Sequence, residues 1–244
     1  MKNQVVLITG GLSGLGSALA KRLIQKEVRV ALWDRDEKQL KAFAQTLSGE
    51  TFVQSLDITQ ETQVNDSAKQ LMEKWGRIDA LVNCVGITGM TNLKSHEVPL
   101  DDFEKVIRIN LLACYLPFRA VIPQMIQQKY GRILHMASIA GKEGNAGMVA
   151  YSTSKAGIIG MTKSQGKEYA EFGITVNAMA PAVIKTPMHD TMPVEQIRYM
   201  TEKIPMKRCG TLEEYAALAE FIISPECSFT TGFTFDLSGG RATY

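Results

Sequence analysis

A chain of 244 residues with 27 basic and 25 acidic side chains carries a formal charge of +2, and the basic residues are scattered along it. That balance argues against nucleic acid or a membrane surface as partner, and no linker, repeat or low-complexity run divides the chain, so one domain is expected over 1–244. Cys84, Cys114, Cys209 and Cys227 lie far apart without metal-ligand spacing, Met1-Lys2-Asn3 leads into an apolar strand without a signal-peptide core, and no apolar run approaches the roughly 18 residues of a membrane span; reduced thiols and a cytoplasmic location are expected.

Residues 4–9 form a short apolar run rich in Val and Ile, as a strand buried on both faces should. Gly10-Gly11-Leu12-Ser13-Gly14-Leu15-Gly16 follows, and Leu15, Leu19, Leu23 and Ile24 then recur at helical spacing. The glycines thus occupy a strand-to-helix turn, where backbone can approach a ligand and a helix N-terminus can hold a pyrophosphate, although glycines also simply make turns. A second strand over 29–33 ends at Asp34, near the offset of about 20 residues at which a carboxylate meets an adenosine ribose. Such a carboxylate accepts a hydrogen bond from the 2′-hydroxyl and repels a 2′-phosphate, so NAD is expected over NADP. Arg35 is either a guanidinium for that 2′-phosphate or a solvated charge at a helix start.

Helical spacing returns over 36–47, a strand over 51–55 and a helix over 60–75. Asp57, just beyond the third strand, either hydrogen-bonds an adenine ring or caps the helix that begins near Thr59. A fourth strand over 80–83 ends in Asn83-Cys84-Val85-Gly86, placing a polar side chain and a glycine at the carboxyl edge, where ligands bind in such sheets. Residues 101–128 read as one long helix or a bent pair, with Phe103, Val106, Ile107, Leu111, Tyr115 and Leu116 as an apolar stripe and kinks expected at Pro117 and Pro123. Asn110 sits inside that stripe, where an unpartnered carboxamide costs a few kcal/mol, and is therefore a site candidate. A fifth strand over 131–136 delivers Ala137-Ser138-Ile139-Ala140-Gly141, with a hydroxyl at its lip.

Thirteen residues beyond Ser138, Tyr151-Ser152-Thr153-Ser154-Lys155 sets a phenol and an ammonium at i,i+4, on one face of a helix. The ammonium stabilises the phenolate, which makes the pair competent for acid/base chemistry. The same helix, over 150–172, carries Ala156, Gly157 and Gly160, small residues that predict close packing between subunits. A sixth strand over 174–180 precedes an irregular stretch, 181–210, read as a substrate lid; a helix over 211–224 and a strand over 231–237 complete the pattern. The fold class expected is α/β, a Rossmann-type doubly wound, seven-stranded parallel sheet with helices on both faces. His96, His135 and His189 share no metal-ligand spacing and read as structural, with only His189, on the lid, able to touch substrate.

Across its whole length the chain resembles the short-chain dehydrogenase/reductase family. Thr9-Gly10-x-x-x-Gly14-x-Gly16 is similar to that family's cofactor turn, Asn83-Cys84-Val85-Gly86 to its Asn-Asn-Ala-Gly segment, and Pro181 and Thr186 to its nicotinamide-side loop; Cys84-Val85 and Ala182 depart from the usual residues. The resemblance implies Asn110, Ser138, Tyr151 and Lys155 as catalytic residues for hydride transfer between nicotinamide and a carbonyl carbon. Ser138 and Tyr151 would stabilise the oxygen, Tyr151 would move the proton, Lys155 would hold the ribose and tune the tyrosine, and Asn110 would anchor a relay water. It also implies cofactor contacts from Gly10, Ser13, Gly14, Leu15, Gly16, Asp34, Arg35, Asp57, Ile58, Asn83, Cys84, Gly86, Tyr151, Lys155, Pro181, Ile184 and Thr186, around residues 1–90 as the main cofactor-binding half. No metal is expected, and a homotetramer is, from the small-residue helix and the terminal strand. The segments 142–145 and 235–244 are similar to a branch acting on 2-keto-3-deoxy sugar acids, whose carboxylate needs a cation; Lys142, Lys185, Arg198 and Arg241 each read either as that cation or as a surface charge. Two alternatives stand beside this reading: a 3-oxoacyl thioester reductase using NADPH, and a dinucleotide-sensing protein without turnover.

Overall fold

The computed structural model describes residues 1–186, 195, 198 and 201–244. Seven parallel strands are described: β1 (Val5–Thr9), β2 (Arg29–Asp34), β3 (Thr51–Ser55), β4 (Ala80–Asn83), β5 (Gly131–Met136), β6 (Ile174–Pro181) and β7 (Thr234–Leu237), ordered 3-2-1-4-5-6-7. Successive side chains of a strand face opposite ways, so β1 feeds two cores at once. Val5 and Leu7 enter one with Ala31, Trp33 and Leu81; Val6 and Ile8 enter the other with Val30, Leu32 and Val82. Each such side chain, fully buried, contributes about 1.5–3 kcal/mol of transfer free energy. Continuous apolar runs are what strands covered on both faces require.

The first core is covered by α3 (Glu61–Trp75) and α4 (Leu100–Gln128), the second by α1 (Gly14–Ile24), α2 (Glu37–Gln45) and α7 (Leu212–Ile222). A smaller cluster joins Cys114 of α4 to Ile158 of α6 (Val149–Glu168) over Ala137 and Ala178. The expected doubly wound architecture is therefore the observed one.

One strand boundary is corrected, and two helices are defined more closely. α4 runs unbroken through Pro117 and Pro123, 29 residues in all, because its buried face from Val106 to Met125 is held against the sheet along its whole length. It also contains an 18-residue stretch of mean hydropathy 1.4, long and apolar enough to span a membrane by composition, but half of that stretch is buried inside the domain. The last strand starts at Thr234 rather than 231: Gly232 adopts φ +69°, and the preceding segment joins β6 through backbone bonds at Gly232 and Phe233 interspersed with side-chain bonds at Thr231 Oγ1 and Asn177 Oδ1. A short helix, α5 (Ile139–Glu143), follows β5 where the sequence shows only a turn, and Ser138 caps it.

Candidate active site at the carboxyl edge of the sheet

Strand order reverses between β1 and β4, and the crevice outside such a switch point is where an open α/β sheet binds ligands. A groove lies there. One part, of about 430 Å³, is bordered by Gly10, Ser13, Asp34, Arg35, Asp57 and Ile58. The other, of about 270 Å³, is bordered by Leu15, Ser138, Tyr151, Lys155, Pro181, Ile184 and Thr186. Cys84, Gly86 and Ile87 border both and so join them.

In the first part the glycine turn is shaped by contacts that only a missing side chain allows. Gly10 takes φ +68°, and a Cβ on Gly16 would stand 2.2 Å from the Gly10 carbonyl oxygen. Gly14 opens α1, where a Cβ would lie 2.9 Å from Thr186 Cγ2. Ser13 caps α1, its Oγ accepting from the Gly16 amide at 3.0 Å. The remaining first-turn amides form the positive end of the helix, suited to a phosphate. Asp34 is pinned beside this turn, one carboxylate oxygen accepting from the Leu12 amide at 3.0 Å and the other from the Arg35 amide at 2.8 Å. Arg35 is exposed on the same wall. Asp57 accepts from both the amide and the hydroxyl of Thr59, at 2.9 and 2.8 Å, and these bonds hold its carboxyl below the usual carboxylate range. It shapes the turn before α3, while Gln60 occupies the N-cap position itself.

In the second part, the i,i+4 spacing on α6 delivers Tyr151 and Lys155 to one wall. Lys155 is buried, its Nζ donating to the Met136 carbonyl at 2.6 Å and standing 5.6 Å from the Tyr151 ring centroid. The Tyr151 hydroxyl has no hydrogen-bond partner among the described residues. Ser138 leaves β5 in extended conformation, and its Oγ accepts from the Ala140 amide at 3.1 Å. Its own proton is thereby free to donate into the groove. Asn110 sits one layer behind: Oδ1 accepts from the Ile87 amide at 2.8 Å, and Nδ2 donates to the Ile87 carbonyl at 2.9 Å and to Ser154 Oγ at 2.8 Å. Ser154 Oγ in turn donates to the Tyr151 carbonyl at 2.8 Å. The carboxamide thus answers the burial that made it conspicuous, by locking the groove segment at Ile87 to α6.

Not every expected site residue lines the groove. Gly16 is packed behind the turn, and Gly14 faces the α1–α7 side. Asn83 is fully buried and turns inward, Oδ1 accepting from Thr9 Oγ1 at 3.3 Å and Nδ2 donating to His135 Nδ1 at 3.0 Å. His135 Nε2 then donates to Gln165 Oε1 at 2.9 Å. Burial pushes His135 down to about 4, so its imidazole is neutral near pH 7. Thr9, Asn83 and His135 are register partners across β1, β4 and β5, a row that strand pairing makes visible and linear sequence does not. Cys84 borders the groove, but its thiol packs 3.4 Å from the Tyr215 hydroxyl, and burial pushes it up to about 11.

Sequence reasoning passed over Ile87, whose only signal is its place after Gly86, and Met136, whose carbonyl receives Lys155. Of the four cations considered for a substrate carboxylate, Lys142 is paired with Asp236 at 2.9 Å and Arg241 with Glu143 at 2.8 Å. Arg198 is exposed. His189 and residues 187–194 of the expected lid lie outside the described residues; Ile184 and Thr186, at its start, border the groove.

Residues 4–196 match the family model described as short chain dehydrogenase. The chain is 47% identical over 238 residues to 2-dehydro-3-deoxy-L-rhamnonate dehydrogenase (NAD(+)) of Sphingomonas sp. (strain SKA58), spanning 98% of this chain and 95% of that protein. It is 36% identical over 243 residues to a 3-oxoacyl-[acyl-carrier-protein] reductase of Thermotoga maritima, spanning 98% of each. The fold matches a crystal structure of NAD+-bound xylitol dehydrogenase with a TM-score of 0.91 and 30% identity, over 98% of this chain and 99% of that one.

Proposed function

The chain belongs to the short chain dehydrogenase family, an oxidoreductase fold acting on CH–OH groups, and from that premise we propose an NAD-dependent dehydrogenase that interconverts a secondary alcohol and a ketone on a 2-keto-3-deoxy sugar acid. The observation that carries this is a single groove with Asp34 at one end and Ser138, Tyr151 and Lys155 at the other. The groove suits a dinucleotide: it runs continuously from Asp34 past the N-terminus of α1 to Tyr151 and Lys155, and at Gly86, which borders both parts, a Cβ would lie 3.3 Å from Lys155 Nζ. The sugar-acid class is supported by the relative that is 47% identical.

Gly10, Ser13 and Leu15 would hold the pyrophosphate region, Asp34 the adenosine ribose, Asp57 and Ile58 the adenine, and Gly86, Pro181, Ile184 and Thr186 the nicotinamide side. NAD supplies the hydride acceptor. The chain's own residues manage the oxygen. As an alcohol is oxidised, Ser138 donates a hydrogen bond to it and Tyr151 takes its proton; in the reverse direction Tyr151 returns that proton to the oxygen that develops negative charge. Lys155, buried and 5.6 Å from the Tyr151 ring centroid, sets a positive charge beside the reacting oxygen, and its remaining ammonium protons serve the ribose hydroxyls. Asn110 keeps Ile87 and α6 at fixed separation.

The test is Tyr151→Phe, assayed by NADH absorbance against hydroxy acids, sugar acids, simple alcohols and acyl thioesters. Turnover should fall by about 100-fold or more, the scale of general acid–base catalysis, while NADH binding stays within a few-fold. Full turnover would sink the assignment. A second reading, reduction of a 3-oxoacyl thioester with NADPH, is favoured by exposed Arg35 on the groove wall and by the Thermotoga maritima relative. Tighter binding of NADPH than NADH, with thioester turnover, would select it. A homotetramer is also proposed, from exposed Ala156 and Gly160 on α6 and from β7 as an uncovered sheet edge beside exposed Phe229 and Phe233; a monomeric mass in solution would overturn it. Four unpaired cysteines support a reducing compartment, the cytoplasm.

A further inference from the structure

Beyond β7 the chain turns back through Gly239 and Gly240, at φ +59° and +88°, and packs so closely that a Cβ on Gly239 would come within 2.7 Å of Ile204. Ser238 closes this turn, its Oγ accepting from the Ala242 amide at 3.2 Å. Polar side chains of β7 and of the segment after it converge on one place, α5 and the loop between Ser138 and Tyr151. Asp236 accepts from Lys142 Nζ at 3.0 and 2.9 Å, and Lys142 also donates to the main-chain oxygen of Tyr244, whose hydroxyl donates to the Lys142 carbonyl at 2.9 Å. Arg241 donates through Nε to Glu143 at 2.9 Å and through Nη2 to Asn145 Oδ1 at 3.1 Å. The Asn145 amide donates to Ser152 Oγ at 3.0 Å, in the first turn of α6 beside Tyr151. On its other side the same segment receives the Met206 amide at Gly239 O, 3.2 Å, and the Ala182 amide at Leu237 O, 3.0 Å. The Lys142 and Arg241 side chains are only 9% and 10% exposed, so neither pair is a loose surface contact.

We propose that residues 236–244 form a brace for the active site, in which Arg241 and Lys142 are positioning residues that fix the 138–152 loop rather than anchors for a substrate carboxylate. The brace rests on the assignment of Ser138 and Tyr151 as the groups that act on the oxygen. Its logic is mechanical. Ser138 and Tyr151 come from different elements, and the loop between them contains Gly144 and Gly147, both with positive φ and able to change conformation. Arg241 grips that loop at two points, Glu143 and Asn145, through a planar guanidinium whose donors have fixed geometry. Chain segments on both sides of the groove thus share one support.

The experiment compares Arg241→Ala, Arg241→Lys and the reversed pair Arg241→Glu with Glu143→Arg. Backbone hydrogen exchange is read over 139–152, NADH binding by fluorescence, and steady-state kinetics on a carboxylate-bearing alcohol and an uncharged alcohol that the wild-type enzyme oxidises. A brace predicts exchange over 139–152 faster by about tenfold in Arg241→Ala, kcat lowered to a similar degree for both alcohols, NADH affinity within twofold of wild type, and partial recovery in the reversed pair. Unchanged exchange, or a loss confined to KM for the carboxylate-bearing alcohol, would overturn it in favour of a substrate anchor. If Arg241→Ala does not fold, Arg241→Lys keeps the charge without the fork and gives the same readouts. Failure of the wild-type protein to oxidise any alcohol with NAD would remove the proposed function, whereas hydrogen exchange judges the brace independently.

Discussion

Replacing Asp34 by Ala removes the carboxylate that the Leu12 and Arg35 amides hold at 3.0 and 2.8 Å on the groove wall. Two effects follow, of opposite sign for the two dinucleotides. A hydrogen bond to a charged group is worth about 1.5–3 kcal/mol, and partial exposure of Asp34 favours the lower end, so NADH should bind about tenfold more weakly. A 2′-phosphate near the carboxylate would meet like charge: two unit charges about 5 Å apart repel by about 3 kcal/mol at an effective dielectric constant of about 20, and water at the half-open wall reduces that by roughly half. NADPH should therefore gain about tenfold in the variant, with exposed Arg35 adjacent to receive the phosphate. The ratio of the two dissociation constants should move by about 100-fold, measured by fluorescence titration of the reduced cofactors, and by less in high salt. Asp34→Asn, which keeps an acceptor for the Leu12 amide, separates loss of charge from loosening of the turn. A ratio unchanged within threefold, or wild-type protein that already binds NADPH more tightly, would refute the argument and make Arg35 the determinant.

Gly16→Ala places a methyl group 2.2 Å from the Gly10 carbonyl oxygen, an overpacking that costs about 1–3 kcal/mol; at about 2–4 °C per kcal/mol for a domain of this size, Tm should fall by roughly 2–12 °C with NADH affinity reduced, and an unaltered melting curve would contradict the packing argument. His135, held near 4 against a reference of 6.5, gives a stability that is complete above about pH 6.5, where both folded and unfolded chains carry neutral imidazole, and that is lost as pH falls toward 4 because only the unfolded chain takes up the proton. The expected slope from this group is about 1 kcal/mol per pH unit across that window, detectable as a steeper fall of denaturant stability than in His135→Leu; equal slopes would show that the imidazole does not titrate this way.

Strands β1, β2 and β4 were legible because their buried positions make a nearly continuous apolar run; 131–136 is read and observed with the same ends. The Gly10–Gly16 turn was legible because φ > 0 and close approach leave few residue types available. Tyr151 and Lys155 were legible because helical periodicity alone puts i and i+4 together. What escaped was set by pairing across the chain. α5 has five residues, too few to show a period, and exists because Ser138 can cap it. Asn83 shares parity with Leu81 on β4, and Leu81 enters the core under α4, so alternation already directed its side chain away from the groove.

Charge is where local reading failed most instructively. Lys142 and Arg241 each looked like an unpaired cation near the site, because their partners, Asp236 and Glu143, lie 94 and 98 residues away in sequence. Once neutralised, neither can hold a substrate carboxylate without first breaking a pair that is largely buried, and opening such a pair is strongly unfavourable. Within the described lining of the catalytic half the remaining cation is Lys155, already directed to the Met136 carbonyl and placed to serve Tyr151. A carboxylate drawn to that ammonium would take up the one positive charge that the proposed mechanism sets beside Tyr151. Acid recognition compatible with proton transfer must therefore place the carboxylate away from Lys155, on neutral donors or on a cation beyond this lining, while the oxygen being oxidised stays between Ser138 and Tyr151.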